Sequence, residues 1–182
     1  MEKDFNQLYY KYKRIQEKGW IKSLRNGPTG VGYTFESLLN KKEDNLRKPD
    51  FNGIEIKTMK YFSKKKIHLF NATPCGNNES TIKNIIEKLG YPDRDNPQFK
   101  VFNVSLNTKN FTKIAYKRIK ICVNKEKKRI ELVAYNIFGF KVNIDAYWPF
   151  ELLEKALNTK LNRLAIIKAC SKKNTRRRVF FI

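Results

Sequence analysis

A mixed α+β fold, a sheet with helices on its faces, is the class this 182-residue sequence predicts. Apolar residues recur at helical spacing in several separate stretches, and in others they alternate with period two. The two kinds of segment do not follow each other in regular strand-helix-strand order, which argues against a purely parallel sheet. Leu, Ile, Val and Phe number 51 residues, or 28%. That exceeds the ~20% below which a highly charged chain stays unfolded, so a core can form. The length suits one domain over residues 1–182.

The first element is an amphipathic helix over 4–17, in which Phe5, Leu8, Tyr9, Tyr12 and Ile15 make one stripe and Gly19 marks the end. Three glycines and a proline within 25–32 predict a loop, followed by a second helix carrying Tyr33, Phe35, Leu38 and Leu39, with Glu36 in its middle. A lysine-rich loop runs to Pro49. From Gly53 the period changes to two: Ile54 and Ile56 face one side, Glu55 and Lys57 the other. After the turn-like 63–66, residues 67–73 read as a second strand. A third helix covers 79–89, with Ser80 as its cap and Gly90 as its stop. Residues 99–107, 114–123 and 129–138 suggest an antiparallel meander. Pro149 opens a short helix to 158, and 164–170 with 178–182 form a closing hairpin.

The formal charge of +22 gives a field that attracts polyanions, and nucleic acid is the expected partner. No stretch approaches the ~18 apolar residues of a membrane span, and the N-terminus lacks the layout of a signal peptide, so an intracellular, cytoplasmic protein is expected. Cys75, Cys122 and Cys170 fit neither a disulfide framework nor a zinc knuckle and read as core or surface thiols. Basic residues recur along the chain without intervening acid: five between Glu55 and Glu79, seven between Asp95 and Glu126, nine after Glu154. Five of the 17 carboxylates (Glu36, Glu43, Asp44, Asp50, Glu55) nevertheless crowd into one 20-residue window. Carboxylates inside a phosphate-binding surface repel DNA unless a divalent cation lies between them.

The informative stretch is Lys48 to Lys57. Glu55 and Lys57 project from the same strand face about 7 Å apart, and a glycine-containing turn can return Asp50 alongside Glu55. Two carboxylates and an ammonium in this arrangement suit Mg²⁺, which takes hard oxygen ligands and activates water for attack on phosphorus. The competing structural account makes Asp50 a turn residue and Glu55 with Lys57 an ordinary solvent-side pair.

Pro49-Asp50, four residues, then Glu55-Ile56-Lys57 resembles the PD-(D/E)xK nuclease signature. With Gly30-Val31-Gly32-Tyr33-Thr34-Phe35-Glu36-Ser37-Leu38-Leu39 before it and Thr58 after it, the pattern resembles the MvaI/BcnI type of restriction endonuclease, a relative of the mismatch-repair nuclease MutH. The resemblance implies a restriction-endonuclease-like, MutH-like core in which Asp50 and Glu55 bind the metal, Lys57 completes the catalytic centre and Glu36 serves as an accessory acid. It further implies Mg²⁺, double-stranded DNA as substrate, a monomeric enzyme and a cognate DNA methyltransferase in the host. Members of this type extend beyond residue 182, so a chain truncated at the C-terminus is an expectation too.

Lesser signals have two readings each. Lys60, Lys64, Lys65 and Lys66 can neutralise phosphates beside the metal or stand as solvated lysines at a hairpin tip. His68 can meet DNA or pack within its strand. Arg176, Arg177 and Arg178 can contact the backbone or guanine edges. The leading expectation is a Mg²⁺-dependent type II restriction-like endonuclease. Its alternatives are a MutH-like nicking enzyme and a non-catalytic basic DNA- or RNA-binding protein.

Overall fold

The structure, a computed structural model, describes residues 2–27, 29–41, 48–76, 81–174 and 177–182, of which 173, 174, 177 and 178 by their backbone alone. In chain order the elements are α1 (Glu2–Gln16), β1 (Ile21–Lys22), α2 (Gly30–Leu38), β2 (Glu55–Lys60), α3 (Thr81–Leu89), β3 (Tyr91–Pro92) and β4 (Lys100–Val101). There follow β5 (Thr112–Ile114), β6 (Lys117–Asn124), β7 (Arg129–Asn136), β8 (Tyr147–Pro149), α4 (Phe150–Lys160), β9 (Leu164–Asn174) and β10 (Arg177–Phe181). The mixed α+β class expected from the sequence is what is found. The chain divides into two compact units, one of residues 1–70 and 156–182, the other of 71–155.

The first unit is built on a four-stranded sheet ordered β1-β10-β9-β2. β2 runs parallel to β9, while the other neighbours are antiparallel. Its core joins Leu8 and Ile15 of α1, Val31 and Phe35 of α2, Ile54, Ile56, Ala169, Phe180 and Ile182. Each large side chain buried there contributes roughly 1.5–3 kcal/mol, which is why the period-two face of β2 settles inward with α1 and α2 against it. Thr34 is fully buried yet satisfied: its hydroxyl donates to the Gly30 carbonyl at 2.7 Å and accepts from the Leu24 amide at 3.1 Å.

The second unit carries the antiparallel sheet β5-β6-β7-β8 and the small ribbon β3-β4. Ile85 and Leu89 of α3 pack with Ile119, Leu132, Ala134 and Ala146. The Trp148 indole N–H donates to the Ala72 carbonyl at 3.0 Å. Cys75, Cys122 and Cys170 are free thiols, and among the described residues no helix is long and apolar enough to cross a membrane.

Five local expectations are corrected. Residues 99–107, read as the first strand of the meander, give only the two-residue β4, which pairs with β3 and not with the β5–β8 sheet. The helix α2 starts at Gly30, inside the stretch read as loop, because its glycines serve close packing: a Cβ on Gly32 would come within 3.1 Å of Thr58 Oγ1 on β2. Residues 67–73 form no strand; the sheet position beside β2 belongs to β9, supplied from the other end of the chain. The strand expected over 114–123 is a hairpin, β5 turning into β6 at Ala115–Tyr116. Pro149, read as the helix entry, closes a short strand, Tyr147–Pro149, on β7 before α4 begins. The Ser80 cap lies outside the described residues.

Candidate active site

The turn between Asp50 and Glu55 is where sequence and chemistry meet. Phe51 and Ile54 exchange both backbone hydrogen bonds, at 2.9 and 2.7 Å, around Asn52 (φ 44°) and Gly53 (φ 78°). Two consecutive left-handed residues are what a type I′ hairpin turn demands, and Asn-Gly supplies them at least cost. A side chain on Gly53 would also fall on the Arg163 guanidinium. The turn therefore folds Asp50 back beside the start of β2.

Backbone alternation then decides which groups each strand edge offers. The Glu55 amide points toward β9, donating to the Arg163 carbonyl at 2.8 Å. The Ile56 amide consequently points to the open edge of β2, where Asp50 Oδ2 accepts it at 2.9 Å. Asp50 Oδ1 is held by the Lys41 ammonium at 2.7 Å.

Glu55 is fully buried. The Lys57 ammonium lies 2.5 Å from its Oε1 and that of Lys160, at the end of α4, 3.6 Å away. Both contacts are ion pairs, and among the described residues neither carboxylate oxygen has a hydrogen-bond partner of good geometry. A buried carboxylate without hydrogen bonds is expensive unless a cation compensates it. A hard divalent cation fits this donor set: among the described residues Glu55 offers an Oε2 that accepts no hydrogen bond, and Asp50 offers an oxygen now paired with lysine.

The structure thus anchors Asp50 on the Ile56 amide, next in the chain to Glu55, and sets Lys57 against Glu55. Glu36 is half-buried on α2, its Oε1 3.7 Å from where a Gly32 Cβ would stand, on the side of α2 that meets Thr58. Among the described residues no three His, Cys, Asp or Glu side chains form a metal-holding group, so Glu36 does not complete a three-ligand cage with the other two acids. Lys60, Lys64, Lys65, Lys66 and His68 are exposed at and beyond the end of β2. Arg176 and the side chains of Arg177 and Arg178 lie outside the described residues. Lys41, Lys160, Arg163 and Asp4 were not singled out from the sequence. Lys41 is one of several loop lysines, and the others act across distances in the chain that no local spacing reveals.

The profile of the MvaI/BcnI restriction endonuclease family matches residues 9–182. The chain belongs to this family. As a member it is classed as a type II site-specific deoxyribonuclease. Among solved structures it is similar to the complex of restriction endonuclease MvaI with its cognate DNA substrate: TM-score 0.91, 28% identity, covering 99% of this chain and 72% of that one. MvaI in the absence of DNA matches with the same identity and coverage at a TM-score of 0.54. No curated protein matches the chain.

Proposed function

We propose that this family member hydrolyses phosphodiester bonds of double-stranded DNA at a short specific site, with Mg²⁺ held by Asp50 and Glu55 and with Lys57 as the catalytic ammonium. The observation that carries this reading is the buried Glu55 carboxylate, faced by Lys57 and without a hydrogen bond among the described residues, next in the chain to the Ile56 amide that anchors Asp50. Bound there, the divalent cation supplies Lewis-acid activation of water and of the scissile phosphate. The protein's own groups do the rest. The Ile56 amide fixes the direction of Asp50. Lys57, relieved of Glu55 once that carboxylate is shared, is left to orient the attacking water and to stabilise charge on the phosphorane oxygens. The water oxygen bonds to phosphorus, the P–O3′ bond breaks, and the departing 3′ oxygen takes a proton, leaving a 5′-phosphate. Glu36 is assigned as an accessory acid approaching from α2.

The same face of the sheet continues outward through Ile166, paired with Lys57, and Lys168, whose ammonium rests 5.6 Å from the centre of the Tyr61 ring. With Lys60, Lys64, Lys65, Lys66, His68 and the arginines Arg176, Arg177 and Arg178, it gives the DNA backbone a cationic bed. In this reading the enzyme works in the cytoplasm as a monomer, and a cognate methyltransferase protects the host.

Cleavage of plasmid and phage DNA, with Mg²⁺ and with chelator, tests the proposal. Discrete fragments are expected only with Mg²⁺. Asp50→Asn, Glu55→Gln and Lys57→Ala are each expected to lower the rate on the order of 10³-fold, equivalent to about 4 kcal/mol. The two carboxylate variants should hold DNA as well as the wild type or better, because a negative charge facing phosphate is gone. Undiminished cutting by these variants would overturn the site; retardation of every DNA without cutting would make the chain a binding protein.

A further inference from the structure

We propose that Arg163 is a positioning residue for the divalent-cation seat: it grips the turn between Asp50 and Glu55 and so sets how the two carboxylates stand to each other, while Asp4 holds the guanidinium in place. The inference rests on the reading of Asp50 and Glu55 as the seat. Its own support is a set of contacts that converge from three parts of the chain. Arg163 Nη2 donates to the Asn52 carbonyl and Nε to the Gly53 carbonyl at 3.3 Å, so both left-handed turn residues are held by one side chain. Nη1 donates to Asp4 Oδ2 of α1 at 2.8 Å. The backbone carbonyl of Arg163 receives the Glu55 amide.

One residue therefore secures the turn through its side chain and the first ligand-bearing residue of β2 through its backbone. Only a guanidinium serves here, because a planar fork reaches three acceptors in three directions, whereas an ammonium is a single point of donors. The hydrogen bond from Arg163, foremost, keeps the Asp4 carboxyl below the usual aspartate range. Asp50 and Glu55 flank the turn on either side. A tilt of the turn changes their separation directly, and a small cation that demands near-octahedral geometry is sensitive to that separation.

The test is titration of the full chain with Mn²⁺ in the absence of DNA, by calorimetry and by the spin-resonance signal of free Mn²⁺. Arg163→Ala and Arg163→Lys are expected to weaken Mn²⁺ binding by roughly 10- to 100-fold, as loss of an outer support to metal ligands does elsewhere. Asp4→Asn should give a smaller loss in the same direction. Arg129→Ala, which breaks a separate Arg-carboxylate pair, to Glu131 in the second unit, should leave Mn²⁺ binding unchanged. Saturating Mn²⁺ should restore most of the cleavage rate of Arg163→Lys, placing the defect in metal affinity rather than in turnover. Mn²⁺ affinity within about twofold of wild type in both Arg163→Lys and Asp4→Asn would overturn the proposal even if Arg163→Ala unfolds. Absence of Mn²⁺ binding by the wild type, or binding that survives Asp50→Asn, would instead overturn the seat itself and this inference with it.

Discussion

In the proposed site Lys41 occupies the Asp50 oxygen that a divalent cation would take. Asp50 Oδ2 is committed to the Ile56 amide, and Oδ1 carries the Lys41 ammonium at 2.7 Å. A cation entering the proposed seat would have to displace that lysine or share the oxygen with it. Lys41→Met is therefore expected to act in two opposed directions. Without metal it removes a partly exposed ion pair contributing up to about 1 kcal/mol, so the melting temperature falls slightly. With Mg²⁺ the freed oxygen makes the metal-induced rise in melting temperature larger than in the wild type. Scanning fluorimetry with and without Mg²⁺ reads both, and an unchanged metal-induced rise would mean that Lys41 does not stand in the cation's place. This also marks what was legible residue by residue. Asp50, Glu55 and Lys57 lie within eight positions of each other on a turn and a strand, whose geometry the sequence states outright. Lys41 looks like any lysine of its loop, and Lys160 and Arg163 reach the site only because β9 returns to pair with β2.

At the scale of elements, turn chemistry separates what could be read from what could not. Asn52-Gly53 announces its hairpin through residues that tolerate a positive φ. Ala115 gives no such sign, yet it sits at φ 47° as the first residue of the two-residue connection between β5 and β6. For that reason an unbroken strand was expected over 114–123. The left-handed conformation costs an L-residue about 1–2 kcal/mol, partly offset in a glycine variant by the extra freedom of its unfolded chain. Ala115→Gly should thus stabilise the protein by about 0.5–1 kcal/mol, a rise of roughly 1–4 °C in melting temperature, with cleavage unaltered. A lower melting temperature would mean that the Ala115 turn is unstrained. The misread segment 67–73 fails for a different reason. It is rich in apolar residues as a strand is, but composition does not supply a hydrogen-bonding neighbour, and β2 takes its neighbour from 164–169. Parallel pairing between segments a hundred residues apart leaves no local trace.

For the whole molecule the governing quantity is the charge of +22, because every phosphate neutralised on binding releases counter-ions from DNA. The logarithm of the binding constant should fall linearly with the logarithm of salt concentration, with a slope of about −0.9 for each phosphate contacted. A surface that meets 6 to 10 phosphates would lose about 10³- to 10⁵-fold in affinity between about 50 and 200 mM salt. The slope, unlike the affinity, distinguishes lysines that touch DNA from lysines that merely stand in water. Lys64, Lys65 and Lys66 are exposed just past the end of β2, and both descriptions suit them equally from sequence and from position. If all three meet phosphates, replacing them together with alanine should make the slope shallower by about 2.7, on a cleavage-deficient Glu55→Gln background that keeps the DNA intact. If they are solvated charges, the slope stays where it was and only a weak long-range contribution, screened within about 10 Å at 0.1 M salt, is lost. A measured change near zero would confine the contact surface to the face carrying Lys57 and Lys168, and a change near three contacts would extend it around the end of β2.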